Sequence, residues 1–194
     1  MKIAILGGSF NPIHNGHIEI ARQVREKLNP GKFFFVPSAN NPLKQNISLL
    51  SFEKRYQLIK KALIKYPFFY VSDLDNTGNN FSYTDELIKR FQKKYPKDEI
   101  YFIIGEDNIV QLPLWHNYKW LLDNIIFIVL TRTTDTKNNW NKLDYINKLT
   151  FINMPPINIS STEIRNKVKA NKSIKELVPN EILSDIIRYY KPID

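Results

Sequence analysis

The stretch KIAILGGSFNPIHNGH, residues 2 to 17, runs from a short apolar segment into a loop of two glycines, a serine, Asn-Pro and two histidines. After Lys2 the apolar run shows no polar alternation, the pattern of a strand buried on both faces. Downstream, residues 16 to 28 place Ile18, Ala21, Val24, Arg25 and Leu28 at helical spacing, and Asn29-Pro30-Gly31 stops them. A buried strand that turns through a polar loop into a helix is the opening unit of an α/β chain.

The alternation continues outward from there. KFFFVP (32–37), FFYVSDL (68–74), EIYFIIG (99–105) and IIFIVLT (125–131) read as strands, with a short sixth over 149–154. Helices are expected over 52–66 and 83–95, and two short ones over 106–111 and 115–122, divided by Pro113. Another is expected from about Ser161 and a last over 180–190. The segment 133–141 reads as an exposed loop. The expectation is a Rossmann-like, doubly wound parallel sheet of five to six strands, with helices on both faces and a small helical region at about 158–194. No linker or repeat divides the 194 residues, so they form one domain. Ligands in such sheets lie beyond the carboxyl ends of the strands.

Composition narrows the chemistry. With no cysteine, disulfides and thiolate metal sites are excluded. No run reaches the roughly 18 to 20 apolar residues of a membrane span, and a cytoplasmic location is expected. The net charge of +9 suits anionic partners, but its lysines are spread along the chain, so charge alone does not argue for nucleic acid.

The first loop is suited to an anion. Gly7 and Gly8 are expected to bring backbone close to a ligand and to allow turns closed to other residues. The helix start offers unpaired N–H groups and a dipole end worth about half an elementary charge. His14 and His17, three apart, face the same side of that start. Beside a polyphosphate their pKa values rise, since negative charge favours imidazolium. Two other readings of the pair are capping histidines and a zinc site, the latter needing distant His116. In NISSTEIR, 158 to 165, Ser160 or Ser161 is a natural N-cap. The hydroxyls of Ser160, Ser161 and Thr162, with Arg165 one turn on, suit either a plain capped helix or a second phosphate cradle.

Taken together, G-G-S-F-N-P-x-H-x-G-H and I-S-S-T-x-I-R resemble the paired signatures of the nucleotidylyltransferase superfamily. Three further segments, FSYTDEL (81–87), FIIGEDNIVQLPLWHNYKWLL (102–122) and SIKELVPNEILSDI (173–186), resemble the nicotinate-nucleotide adenylyltransferases in particular, so that the likeness covers essentially the whole chain. The resemblance implies transfer of AMP from ATP to nicotinate mononucleotide, with Mg²⁺ as cofactor. ATP and a pyridine mononucleotide are then the partners, without nucleic acid or membrane, and a homo-oligomer is left open. It implies catalytic roles for His14, His17 and Arg165. ATP would meet Gly7, Gly8, Ser9, Phe10, Gly105, Asp107, Ser160, Ser161 and Thr162, with Asp107 accepting from a ribose. The acceptor would meet Lys44 through its phosphate and Tyr83 and Thr84 through its carboxylate. Trp115, in a polar loop poorly placed for a core, would stack on its pyridine ring.

The chain departs from the family pattern in three places. Asn41-Pro42-Leu43-Lys44 stands for P-P-H-K, Asp85-Glu86-Leu87 for x-D-T, and Glu106 for the usual small residue before Asp107. Alternatives are nicotinamide mononucleotide or another phosphorylated acceptor, and a non-catalytic nucleotide- or nucleic-acid-binding module on the same fold.

Overall fold

Apolar runs covered on both faces pair side by side and in parallel, and the computed structural model shows this arrangement. It describes residues 1–40, 49–78, 81–131 and 140–191. The described residues form one six-stranded sheet: β1 (Lys2–Gly8), β2 (Lys32–Pro37), β3 (Phe69–Val71), β4 (Glu99–Gly105), β5 (Ile126–Thr131) and β6 (Leu149–Asn153), in the order β3-β2-β1-β4-β5-β6. All five pairings are parallel. The order reverses between β1 and β4, which opens a crevice beyond their carboxyl ends.

Alternate strand residues feed two cores. Ala4, Leu6, Phe33, Phe35, Ile103 and Ile128 pack under α1 (Asn15–Leu28), α2 (Phe52–Ala62), α5 (Ser161–Lys169) and α6 (Asn180–Tyr190). Ile3, Ile5, Phe34, Val36, Phe102 and Phe127 pack under α3 (Thr84–Lys94), α4 (Tyr118–Asn124) and a 3-10 helix over Glu106–Leu114. Phe33, Phe35 and Phe127 are fully buried, each contributing roughly 2–3 kcal/mol of transfer free energy.

Three sequence expectations need correction. The helix expected over 52–66 ends at Ala62, capped by Leu63, and the next residue, Ile64, faces solvent. The strand expected over 68–74 is only three residues long, because it pairs with β2 alone, at the sheet edge, and Phe68 before it is exposed. The two helices expected around Pro113 are instead a 3-10 stretch that runs through the proline and a helix over Tyr118–Asn124. The last two residues of the loop expected over 133–141 fall in a turn, and the rest lies outside the described residues.

Candidate active site

The loop after β1 ends in a helix start whose capping residue is His14, in extended backbone at φ −149°. The His14 backbone N–H donates to Nδ1 of His17 at 3.3 Å. That bond leaves the proton of a neutral His17 ring on Nε2, a donor. The two imidazoles stack with centroids 3.7 Å apart, and Phe10 meets His17 edge-on at 4.9 Å. The motif needs a glycine at 16. A Cβ there would sit 2.9 Å from Ile157 Cγ2 and 3.0 Å from His14 Nδ1.

Without a ligand both rings are held neutral. Burial pulls His14 down to about 4, with Glu163 opposing. His17 is lowered by burial first and by its neighbour His14 second. Negative charge placed beside the rings would favour their protonated forms.

Across the loop, the start of α5 is docked on the same segment. Ser161 Oγ donates to the Pro12 carbonyl at 2.8 Å, and Arg165 Nη1 donates to the Asn11 carbonyl at 2.8 Å. Arg165 Nη2 also donates to Thr162 Oγ1 at 3.0 Å. Ser160 is the N-cap, its Oγ accepting from the Glu163 backbone N–H. The three hydroxyls expected at a phosphate thus have partners within the protein, which leaves the N–H groups of the helix start and the guanidinium edge as the ready anion donors.

Gly7 and Gly8 do not supply the special turn expected of them. They end β1, and neither has positive φ; the left-handed residue of this loop is Phe10, at φ 45° and buried. Instead, a Cβ on Gly7 would lie 3.0 Å from the Phe102 ring. The left-handed backbone at Phe10 costs roughly 1–2 kcal/mol, which the packing of Phe10 against Phe35 and His17 offsets.

Gly7, Gly8 and Ser9 form one wall of a cleft of about 480 Å³, the size of a mononucleotide site. Val36 of β2 and Ser38 after it, Gly105 at the end of β4 and Asn108 beyond it, Asp75, Ser82–Thr84 and Trp115–His116 are among its other lining residues. Asp107 stands exposed beside it, its carboxylate accepting from Asn108 Nδ2 at 3.2 Å. Gly105 makes room for that carboxylate, since a Cβ there would lie 2.5 Å from Oδ1. Trp115 corrects its expectation: it is partly buried and meets Phe102 and Phe127 edge-on at 6.2 Å, while still lining the cleft. Lys44 and Leu43 lie outside the described residues.

A profile of the cytidylyltransferase-like family matches residues 5–167. The chain is 37% identical to a Clostridium acetobutylicum protein named "Probable nicotinate-nucleotide adenylyltransferase", over 98% of each. It is 39% identical to a Staphylococcus epidermidis protein of the same name, over 93% of this chain and 92% of that one. The chain belongs to the nicotinate-nucleotide adenylyltransferase family. The fold agrees with a solved Plasmodium falciparum nicotinic acid mononucleotide adenylyltransferase complexed with NaAD, at a TM-score of 0.79 and 24% identity over 97% of this chain and 95% of that one.

Two residues of this adenylyltransferase-family cleft, Asp75 and Arg55, read from the sequence only as partners in structural ion pairs. Asp75, buried beside the cleft, has its Oδ2 bonded by the Ser82 hydroxyl. Burial raises its pKa to about 6, against the Ser82 bond, Arg90, the Ala39 N–H and Arg55. Arg55, almost fully buried, donates to the Ser9 carbonyl at 2.8 Å and the Leu50 carbonyl at 2.9 Å, bracing the first loop. Its sequence signal, a single arginine among lysines on α2, does not reveal burial.

Proposed function

We propose that the chain transfers AMP from ATP to nicotinate mononucleotide, releasing pyrophosphate and forming nicotinate adenine dinucleotide, a step in NAD biosynthesis. The observation that carries this reading is the docking of the α5 start, through Ser161 and Arg165, on residues 11 and 12 of the loop that leads into the α1 start and its stacked pair His14 and His17. The acceptor's phosphate attacks the α-phosphorus of ATP in line, the bond to the bridging oxygen breaks, and pyrophosphate leaves with the developing charge. The acceptor phosphate is already ionised, so no general base is required. His14, His17 and Arg165 act on the leaving group, and Gly7, Gly8, Ser9 and Phe10, with Ser160–Thr162, cradle the phosphates. Gly105 and Asp107 serve the adenosine side. Tyr83, Thr84 and Trp115 receive the pyridine end, and Lys44 the acceptor phosphate.

Mg²⁺ neutralises phosphate charge in such transfers. Among the described residues no cluster of three or more His, Asp or Glu side chains could hold a metal, which suits an ion that arrives on the oxygens of ATP. The chain works as one unit over residues 1–194. A cytoplasmic location suits a cysteine-free chain that uses ATP. Among the described residues no helix is long and apolar enough to cross a membrane.

The test is pyrophosphate release from ATP and Mg²⁺, with nicotinate mononucleotide, with nicotinamide mononucleotide, and with neither. Release that requires the nicotinate compound is expected. No release with either acceptor, alongside salt-sensitive nucleic-acid binding, would favour a binding module. In the same assay His17→Ala is expected to lower kcat by about 100-fold or more while leaving the acceptor KM nearly unchanged. A raised acceptor KM alone would contradict a role at the leaving group.

A further inference from the structure

Asp85 sits in the first turn of α3 with its side chain fully buried. Most of its hydrogen bonds reach across to the opposite wall of the cleft. Its Oδ1 lies 2.8 Å from His116 Nδ1, and its Oδ2 accepts from Asn117 Nδ2 at 2.8 Å and from Lys89 Nζ at 2.9 Å. His116 and Asn117 directly follow Trp115. The His116 ring also lies over Tyr83, with centroids 4.6 Å apart and planes 34° apart. The imidazole is therefore fixed at one edge and on one face. Nδ1 is committed to the carboxylate, and no described residue bonds Nε2. The side chain is half exposed and lines the cleft beside Tyr83 and Thr84.

A histidine held in this way offers one nitrogen to a ligand. Donating from both nitrogens, the ring sets a positive charge between Asp85 and a ligand carboxylate at Nε2. A carboxamide provides no such charge. Of the other charged groups nearby, Lys89 faces Oδ2 of Asp85, Glu86 pairs with Arg90 at 3.4 Å, and Asp75, which also lines the cleft, takes the Ser82 hydroxyl on Oδ2.

We propose that His116 is the specificity-determining residue at the pyridine end of the cleft, meeting the ring substituent through Nε2 and favouring a carboxylate over a carboxamide, with Asp85 as its positioning residue. The inference rests on the adenylyl-transfer reading above and deepens it. His116 selects the acceptor, whereas the stacked pair His14 and His17 serves the phosphates.

The experiment compares wild type, His116→Phe and Asp85→Asn for kcat and KM with nicotinate and nicotinamide mononucleotides. The phenylalanine keeps a flat ring against Tyr83 and removes both nitrogens. The expected result is a preference of wild type for the nicotinate compound, and a fall in that preference by about tenfold or more in His116→Phe. The loss should lie mainly in the KM of nicotinate mononucleotide, with the KM of ATP unmoved. Asp85→Asn should shift the preference in the same direction. If that buried substitution prevents folding, His116→Phe, made at a half-exposed side chain, decides alone. Equal losses with both acceptors, or an unchanged preference, would overturn the assignment while leaving adenylyl transfer standing. A wild type inactive with both acceptors would overturn the transfer reading and this inference with it.

Discussion

At the scale of single residues, the histidine pair is buried, stacked and held neutral. Its burial has a consequence for stability. His14 titrates near 6.5 when unfolded and near 4 when folded, so between those values the unfolded chain binds more protons. Stability is therefore complete above about pH 6.5 and falls as the pH drops toward 4, by on the order of 3 kcal/mol from His14 alone. Urea unfolding of the ligand-free protein at pH 7 and pH 4.5 should show this loss, and His14→Gln should reduce it. A pH-independent difference between the two proteins would contradict the burial argument. The same rings should take up protons when ATP binds near pH 7. Calorimetry in buffers of different ionisation enthalpy should then give different apparent binding enthalpies, and identical enthalpies would argue against a phosphate beside the imidazoles. The spacing H-x-x-H already placed both rings on one side of a helix start. It does not reveal that they stack or lose their charge, because this turn packs against segments distant in sequence, such as Ile157 beside Gly16.

At the scale of elements, the most informative position is Gly16. Glycine to alanine inside a helix ordinarily stabilises by about 1 kcal/mol. Here the added methyl meets Ile157 and His14 near 3 Å, so Gly16→Ala should destabilise by roughly 1–3 kcal/mol and lower kcat. A raised urea midpoint with unchanged turnover would show that the loop has room to spare. Ser161→Ala removes the bond to Pro12 and should cost about 1 kcal/mol, with a raised KM for ATP and an unchanged KM for the acceptor. Strands β1, β2, β4 and β5 were legible as elements because a sheet covered on both faces demands apolar residues at every position. The edge strand β3 is shorter than its aromatic run suggests, because such runs look the same whether or not a second neighbour pairs with them. Residues 106–122 were misjudged because a proline marks a break in α-helical pattern but does not say whether 3-10 turns continue across it.

At the scale of the whole molecule, the order β3-β2-β1-β4-β5-β6 sets Gly8 and Gly105 at neighbouring strand ends and opens the cleft between them. The chain then returns after β6 to lay the start of α5 on the loop that follows β1, closing about 150 residues of sequence onto that loop. That closure was readable only through the likeness of two motifs, since no local pattern says that residue 165 meets residue 11. Its functional claim is that His17 and Arg165 act on one polyphosphate. The direct test is a double-mutant cycle in kcat/KM for ATP, with His17→Ala, Arg165→Ala and the double variant, each read by pyrophosphate release at saturating acceptor. The expected result is strong coupling, with the double variant losing less than the sum of the single losses by about 1 kcal/mol or more. Losses that add to within about 0.5 kcal/mol would mean that the two helix starts serve separate ends, and would contradict a shared grip on one triphosphate.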